Sequence, residues 1–423
     1  MSCQKNLDSL VKEVFAINQQ ELPENAYLVG GAVRDALLNR QKDYIDLDFV
    51  VPEKAIEIAQ TIAHHYKAGF VVLDAVRQIA RVVFPQGTLD FAQQEGESLE
   101  IDLKRRDFTV NALAYNLHTQ EIFDPLGGLK DLGCQSLRMI SRENLQDDPL
   151  RLLRAYRQAA QLDFEIEPHT RATIRSLAPL LRLVAAERVQ SELNYLLLNS
   201  RGNKWLKSAW EDGLLSLWLR RITPAKMERV MGVEAAAGFL ESLLPEKFIF
   251  SPSQLQLTKL ALLVSDILAE AEKELIDLKY SRGEIRTVIT VIKCLPPLKE
   301  PDNLSLREQY FIYLNTGKVF PVFALFALSM GINKNIVASL LTSYLDPDNI
   351  IAHPRPLLRG DDLINHLHLK PSPIIGKLLT EVQIAQIEGQ VTVFQEAIDF
   401  AKKLLLSGWL YSVSCSQEVH YRC

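Results

Sequence analysis

The chain has 423 residues, too many for one hydrophobic core, and its length points to three or four domains. Hydrophobic residues make up 48% and charged residues 23%, as in an ordinary soluble globular protein. With 47 basic against 52 acidic side chains the formal charge is −5, which excludes a coat of basic surface: a nucleic-acid partner has to be met by local basic patches.

Residues 1–10 lack the apolar run of a signal peptide. Cys3, Cys134, Cys294, Cys415 and Cys423 form no Cys-x-x-Cys pair, which fits free thiols in a reducing cytoplasm and speaks against disulfides or zinc. The first strand, 27–29, runs into Gly30 and Gly31 and then a helix over 32–38 that carries Arg34. Glycines let backbone N–H groups approach phosphate, and a helix start favours negative charge. The next strand, 46–51, presents Asp46 and Asp48 on one face and Leu47 on the other. Two aligned carboxylates repel, whereas a magnesium pair holds them together, so the stretch suits a metal-bound nucleoside triphosphate. A glycine turn beside a solvated strand edge is the plainer reading.

A helix is expected over 54–65 and strands at 70–73, 79–84, 88–93 and 112–117. Asp90 lies on the strand 88–93 and by itself reads as an exposed strand aspartate. Arg105, Arg106, Asp107 and Asn111 precede the last head strand, as a functional cluster or a basic surface turn. Residues 124–128, Asp-Pro-Leu-Gly-Gly, mark a turn. After Asp147 the β signal nearly disappears, so the chain reads as a small α/β head on a long α-helical body.

Pro149 suits the first turn of a helix with Asp148 at or next to its N-cap. Arg151, Arg154 and Arg157 then share a face, where three guanidiniums repel unless something anionic lies across them; otherwise they are a solvated stripe. Residues 186–193, with Glu187, Arg188 and Glu192, read as a salt-bridged supporting helix. Prolines mark seams at 296–301 and 353–356. The apolar run 319–332 is too short to span a bilayer, contains Pro321, and reads as a buried core helix. Residues 412–423 lack helical period and read as a frayed tail.

In this order and spacing, these motifs resemble the class II tRNA nucleotidyltransferases: CCA-adding enzymes, their CC-adding and A-adding relatives, and bacterial poly(A) polymerases. A weaker echo lies in 355–363, with Pro371, Gly376, Lys377 and Gly389. The resemblance implies an α+β architecture. A polymerase-β-like nucleotidyltransferase head over 1–139 is followed by an all-α neck (140–210, base recognition), body (211–334) and tail (335–423), the last two binding the acceptor and T-arm of tRNA. It also implies that Gly30, Gly31 and Arg34 hold the triphosphate of CTP or ATP, that Asp46 and Asp48 hold Mg2+, and that Asp90 is the candidate for the third catalytic carboxylate of a polymerase-like head. Arg106, Asp107 and Asn111 fall at the ribose and phosphates, Asp148 and Arg151 read the base, and Arg154 and Arg157 add contacts. Where the family has Glu-Asp, this chain has Asp147-Asp148.

The physics of base edges supports that assignment. A carboxylate accepts from the N4 amino group of cytosine and a guanidinium donates to N3 or O2; adenine offers N6 and N1 in the same sense. Uracil and guanine reverse the pattern, at a cost of about 1–3 kcal/mol per unpaired buried group. Members that add the terminal A carry a long flexible segment before the Arg-Arg-Asp motif; here 91–102 is barely a loop. The expected activity is therefore addition of CC, with a separate A-adding enzyme acting on the same tRNA. The alternatives are a complete CCA-adding enzyme, a poly(A) polymerase, which would usually bear a basic C-terminal extension that this tail does not show, and an inactive RNA-binding scaffold. Arg171, Arg175, Arg182 and Lys377 are candidate tRNA contacts or ordinary solvated side chains. The expected location is the cytoplasm, with no membrane partner.

Overall fold

Runs of Val, Ile, Leu and Phe concentrate early in the chain, and there the computed structural model, which describes residues 15, 17–40, 44–244, 248–298 and 304–407, places a seven-stranded sheet. The readings of 1–10 and 412–423, and Cys3, Cys415 and Cys423, lie outside the described residues. In chain order the head consists of β1 (Tyr27–Val29), α1 (Gly31–Leu37), β2 (Ile45–Val51), α2 (Ala55–His65), β3 (Gly69–Asp74), β4 (Ile79–Phe84), β5 (Gly87–Gln93), α3 (Leu99–Lys104), β6 (Ala114–Asn116) and β7 (Ile122–Phe123). The sheet order is β3-β4-β5-β2-β1-β6-β7. The central β2–β5 pair is parallel and its neighbours are antiparallel.

Alternation in β2 settles which face is wet. Leu47, Phe49 and Val51 are buried, with Phe49 stacked on Phe91 of β5 at 5.1 Å, while Asp46 and Asp48 stay exposed. The expected strand at 112–117 is shorter, because Thr109–Asn111 forms a 3₁₀ turn and the Ala112 N–H bonds back to Thr109 O at 3.0 Å. Two-residue strands, namely β7, β8 (Ser136–Leu137) and β9 (Glu165–Ile166), the last two pairing in parallel, carry too few residues to show a period and were not anticipated.

The helices that follow are α4 (Gly128–Gly133), α5 (Arg142–Asp147), α6 (Leu150–Leu162), α7 (Pro168–Leu177), α8 (Ala186–Leu198) and α9 (Gly202–Glu211). The described chain divides into two compact units, 1–196 with 204–217 and 197–203 with 218–423. In the first, the Asp212 carboxylate is 2% exposed and accepts from Tyr156 Oη at 2.5 Å, Arg171 Nε at 2.6 Å and Arg175 Nη2 at 2.6 Å. Arg171 and Arg175 thus neutralise a buried anion while their side chains still reach solvent, 34% and 61% exposed.

The second unit is helical from Pro224–Met231 to Phe394–Leu406. Lys259, 1% exposed, is tolerated there because its ammonium meets Leu197 O at 3.0 Å and Glu234 at 2.5 Å. Phe320–Ser329 is the expected core helix, with Phe320 through Ala327 buried. Joined to the helix before it, it forms a helical stretch, Leu306–Ser329, long and apolar enough to cross a bilayer, but 61% of its most apolar part is buried in the protein. Leu358, Leu363, Ile375, Leu378, Val382, Ala397, Ile398 and Ala401 make a further core cluster, and Lys377 beside it is exposed.

Candidate active site

Gly30 joins β1 to α1 at φ +73°, a conformation that L side chains resist. A Cβ there would lie 2.9 Å from Arg106 Nη1, which would have to move, and 4.0 Å from Asp48 Oδ2; the positive φ is what demands glycine. The same numbers show that the glycine turn, Arg106 and Asp48 meet. Asp48 pairs in register with Asp90 of β5, and Asp46 with Thr88, whose Oγ1 donates to Asp46 Oδ1 at 2.6 Å. Asp90, the candidate third carboxylate, therefore stands beside the pair. Arg81 of β4 grips both its oxygens, at 2.7 and 2.8 Å.

Asp48 keeps an exposed edge, yet loss of water around its carboxyl, then the charges of Asp90 and Asp46, raise its pKa against the opposing pull of Arg106 and Arg81. A cation would relieve that repulsion. No cluster of three or more His, Cys, Asp or Glu suited to a metal occurs among the described residues. Two carboxylates with open positions nonetheless suit a magnesium ion that takes its remaining ligands from substrate phosphates and water.

Beside the carboxylates opens a cleft of about 320 Å³ lined by Gly30, Gly31, Arg34, Arg106, Asp107, Asn111, Arg151, Arg154, Arg157 and Gln158. Five arginines against one aspartate make it an anion site. Each arginine is aimed by a neighbour. Arg34 donates from Nη1 to Asn111 Oδ1 at 2.6 Å and from Nε and Nη2 to Asp35 at 2.8 and 2.7 Å. Arg106 reaches Asp102 at 3.5 Å, and its buried Nε has no partner. Asp107, 7% exposed, accepts from Asn111 Nδ2 at 2.8 Å and faces Arg154 at 3.6 Å. The anion expected across the arginine stripe is supplied in part by the protein itself: Glu192 of α8 pairs with Arg154 at 3.3 Å and with Arg157, which also covers the Tyr195 ring. Arg157 is accordingly a paired residue, not a solvated one.

Asp148 and Arg151 flank the α5–α6 junction, where the Arg151 N–H bonds to Asp148 O at 3.0 Å. Their side chains do not pair. Arg151 Nη1 donates to Arg105 O at 2.8 Å and Asn144 O at 3.0 Å, and Asp148 Oδ2 accepts from Arg188 at 2.9 Å. Burial would raise the Asp148 carboxyl, but the hydrogen bond and charge of Arg188 outweigh it and hold it below the usual carboxylate range.

Of the residues singled out in the sequence, Arg34, Arg106, Asp107, Asn111, Arg151, Arg154 and Arg157 converge on the cleft with both glycines, while Asp46, Asp48 and Asp90 share the adjoining sheet face and Asp148 stands outside the lining. Gln158, Arg81 and Thr88 were missed. Gln158 follows Arg154 by four residues and so shares its helix face, a signal that was present but unspecific.

Family profiles match the poly(A) polymerase head domain over 26–138, the polymerase A RNA- and SrmB-binding segment over 163–226, and domain 2 of tRNA nucleotidyltransferases over 249–401. The chain is 49% identical to a CC-adding tRNA nucleotidyltransferase of Synechocystis sp. over 392 residues, covering 90% of this chain and 94% of that one. It is 28% identical to a CCA-adding enzyme of Leuconostoc citreum, covering 90% and 92%. In fold it is similar to the Thermotoga maritima CCA-adding enzyme complexed with tRNA, at TM-score 0.69, 22% identity, and 95% and 94% coverage.

Proposed function

The chain belongs to the tRNA nucleotidyltransferases, and from that membership we propose that it extends tRNA lacking its 3′ CCA with two cytidylates from CTP and leaves the adenylate to a separate A-adding enzyme. The observation that carries the CC restriction is the segment between β5 and α3. Gln93 ends β5 and Leu99 opens α3, so 94–98 is all that connects them. It is also tied down: the Glu95 N–H bonds to Asp102 at 3.1 Å, the Glu95 carboxylate pairs with Arg105, and Ser98 caps α3. So short and anchored a connection has no slack with which to re-aim a base-reading helix as the product grows.

In this reading the triphosphate lies among Arg34, Arg106, Arg154 and Arg157, and Asp46 and Asp48 hold Mg2+, with Asp90 placed beside them. When bound, divalent cations supply the Lewis acidity that lowers the hydroxyl's pKa and steadies the departing oxygens. The tRNA 3′-oxygen bonds to the α-phosphorus as the bond to the β-phosphate oxygen breaks and pyrophosphate leaves. Asp148 keeps lone pairs for the cytosine amino group, and Arg151 donates to the base edge. The proposed head, neck, body and tail divide at 139, 210 and 334, the last two gripping the acceptor and T-arm by shape and phosphate contacts. The proposed location is the cytoplasm.

Incubation of the protein with tRNA lacking CCA and radiolabelled CTP should add two cytidylates. Subsequent ATP should add nothing; a full CCA end overturns the restriction and makes this a complete CCA-adding enzyme, a reading favoured by the near full-length match to relatives so named.

A further inference from the structure

Gln158 is a neutral side chain in a cleft of arginines, 6% exposed and one turn beyond Arg154 on α6. It cannot neutralise phosphate, and burying an amide is costly unless its groups are bonded. The surrounding hydrogen bonds give the reason for it. Arg34 can only donate, so the atom of Asn111 that meets it at 2.6 Å is the amide oxygen. The Asn111 nitrogen then has two hydrogens to place. One goes to Asp107 Oδ1 at 2.8 Å and the other to Gln158 Oε1 at 2.9 Å. Asn111 is itself 7% exposed, so without Gln158 one hydrogen is stranded in the interior and the amide is free to turn.

We propose that Gln158 is a positioning residue for the incoming nucleotide, acting through Asn111 to hold the Arg34 guanidinium at the triphosphate. The inference rests on the cleft being the nucleotide site. It has a consequence for selection. α6 begins beside the base-reading pair Asp148 and Arg151 and, through Gln158 and Asn111, is linked by two hydrogen bonds to a phosphate arginine on α1. A nucleotide whose base seats badly and shifts α6 therefore also loosens the grip on its own triphosphate.

The test is steady-state CMP incorporation into tRNA lacking CCA by wild type, Gln158→Met, Asn111→Ala and the double variant. Methionine keeps the length and bulk of glutamine but accepts no N–H bond of comparable strength. Loss of one such bond should raise KM for CTP about fivefold, with a smaller change in kcat. Because Gln158 acts through Asn111, the double variant should be no worse than Asn111→Ala alone. Should Gln158→Met not fold, as judged by thermal melting, Gln158→Leu carries the same comparison. A KM within twofold of wild type, or effects that multiply in the double variant, overturns the proposal. Wild type that incorporates no CMP removes the nucleotide-site reading itself, a distinct result visible before any variant is compared.

Discussion

Asp48→Asn should melt at or above the temperature of the wild-type protein and yet incorporate almost no CMP. The two halves of that result have one cause. In the free protein the Asp48 carboxylate is partly stripped of water and crowded by Asp90 and Asp46, which together outweigh Arg106 and Arg81 and disfavour its charged form. Asparagine removes the repulsion while keeping the shape, so folding gains. Catalysis loses what the charge is for in the proposed reading, in which a metal site of two carboxylates cannot spare one. If the cations contribute several kcal/mol to the transition state, kcat should fall by about 10³-fold at ~1.4 kcal/mol per tenfold. Asp46→Asn should behave alike, since asparagine still accepts from Thr88. Chelation of divalent cations should silence the wild type reversibly, and extension of truncated tRNA at the wild-type rate by the Asp46→Ala, Asp48→Ala double variant would falsify the metal assignment.

Asp212→Asn should give the largest loss of stability. Its carboxylate is buried and shared among Tyr156, Arg171 and Arg175; asparagine keeps the volume but leaves Arg175 without this counter-charge and Arg171 with Glu211 alone, at 3.6 Å. Arg175 and, less so, Arg171 reach solvent, so the cost is about 2–3 kcal/mol, below that of a wholly buried pair. The pH dependence gives a second check. Burial would raise the Asp212 carboxyl, but the bonds from Arg171, Tyr156 and Arg175 prevail and hold its pKa below the ordinary 3.8. A carboxyl depressed in the folded state stabilises fully above its unfolded pKa, and that contribution fades as pH falls through the unfolded value towards the folded one. The melting-temperature gap between wild type and Asp212→Asn should therefore be constant near neutrality and narrow below about pH 4. A gap that does not change from pH 7 to pH 3 removes the charge from the explanation.

Much of the head was legible because local rules govern it. The strand at 27–29, the glycine turn and the Asp46/Asp48 alternation are each decided by residues adjacent in sequence, and β1, β2 and β4 appear where expected within a residue. The shortness of 91–102 was also plain, since a segment's length is a property of the string; the structure narrows the connection to 94–98. Its anchoring was not. The Glu95–Arg105 pair and the Asp102 bond depend on where α3 comes to lie.

The arginines show the limit most clearly. Sequence put Arg154, Arg157, Arg171 and Arg175 on helices and offered each as an anion contact or a solvated charge. The fold separates them by what it packs opposite. Glu192 and Asp107 aim the first two into the cleft, while Asp212, 37 or more residues downstream, holds the last two. By itself the sequence determined the chemical inventory: which carboxylates, guanidiniums and glycines exist, and which neighbours along the chain share a face, because helix and strand periods are local. Only the tertiary structure decided which charges find counter-ions, since Coulomb energy and desolvation depend on distance through space and not on separation along the backbone.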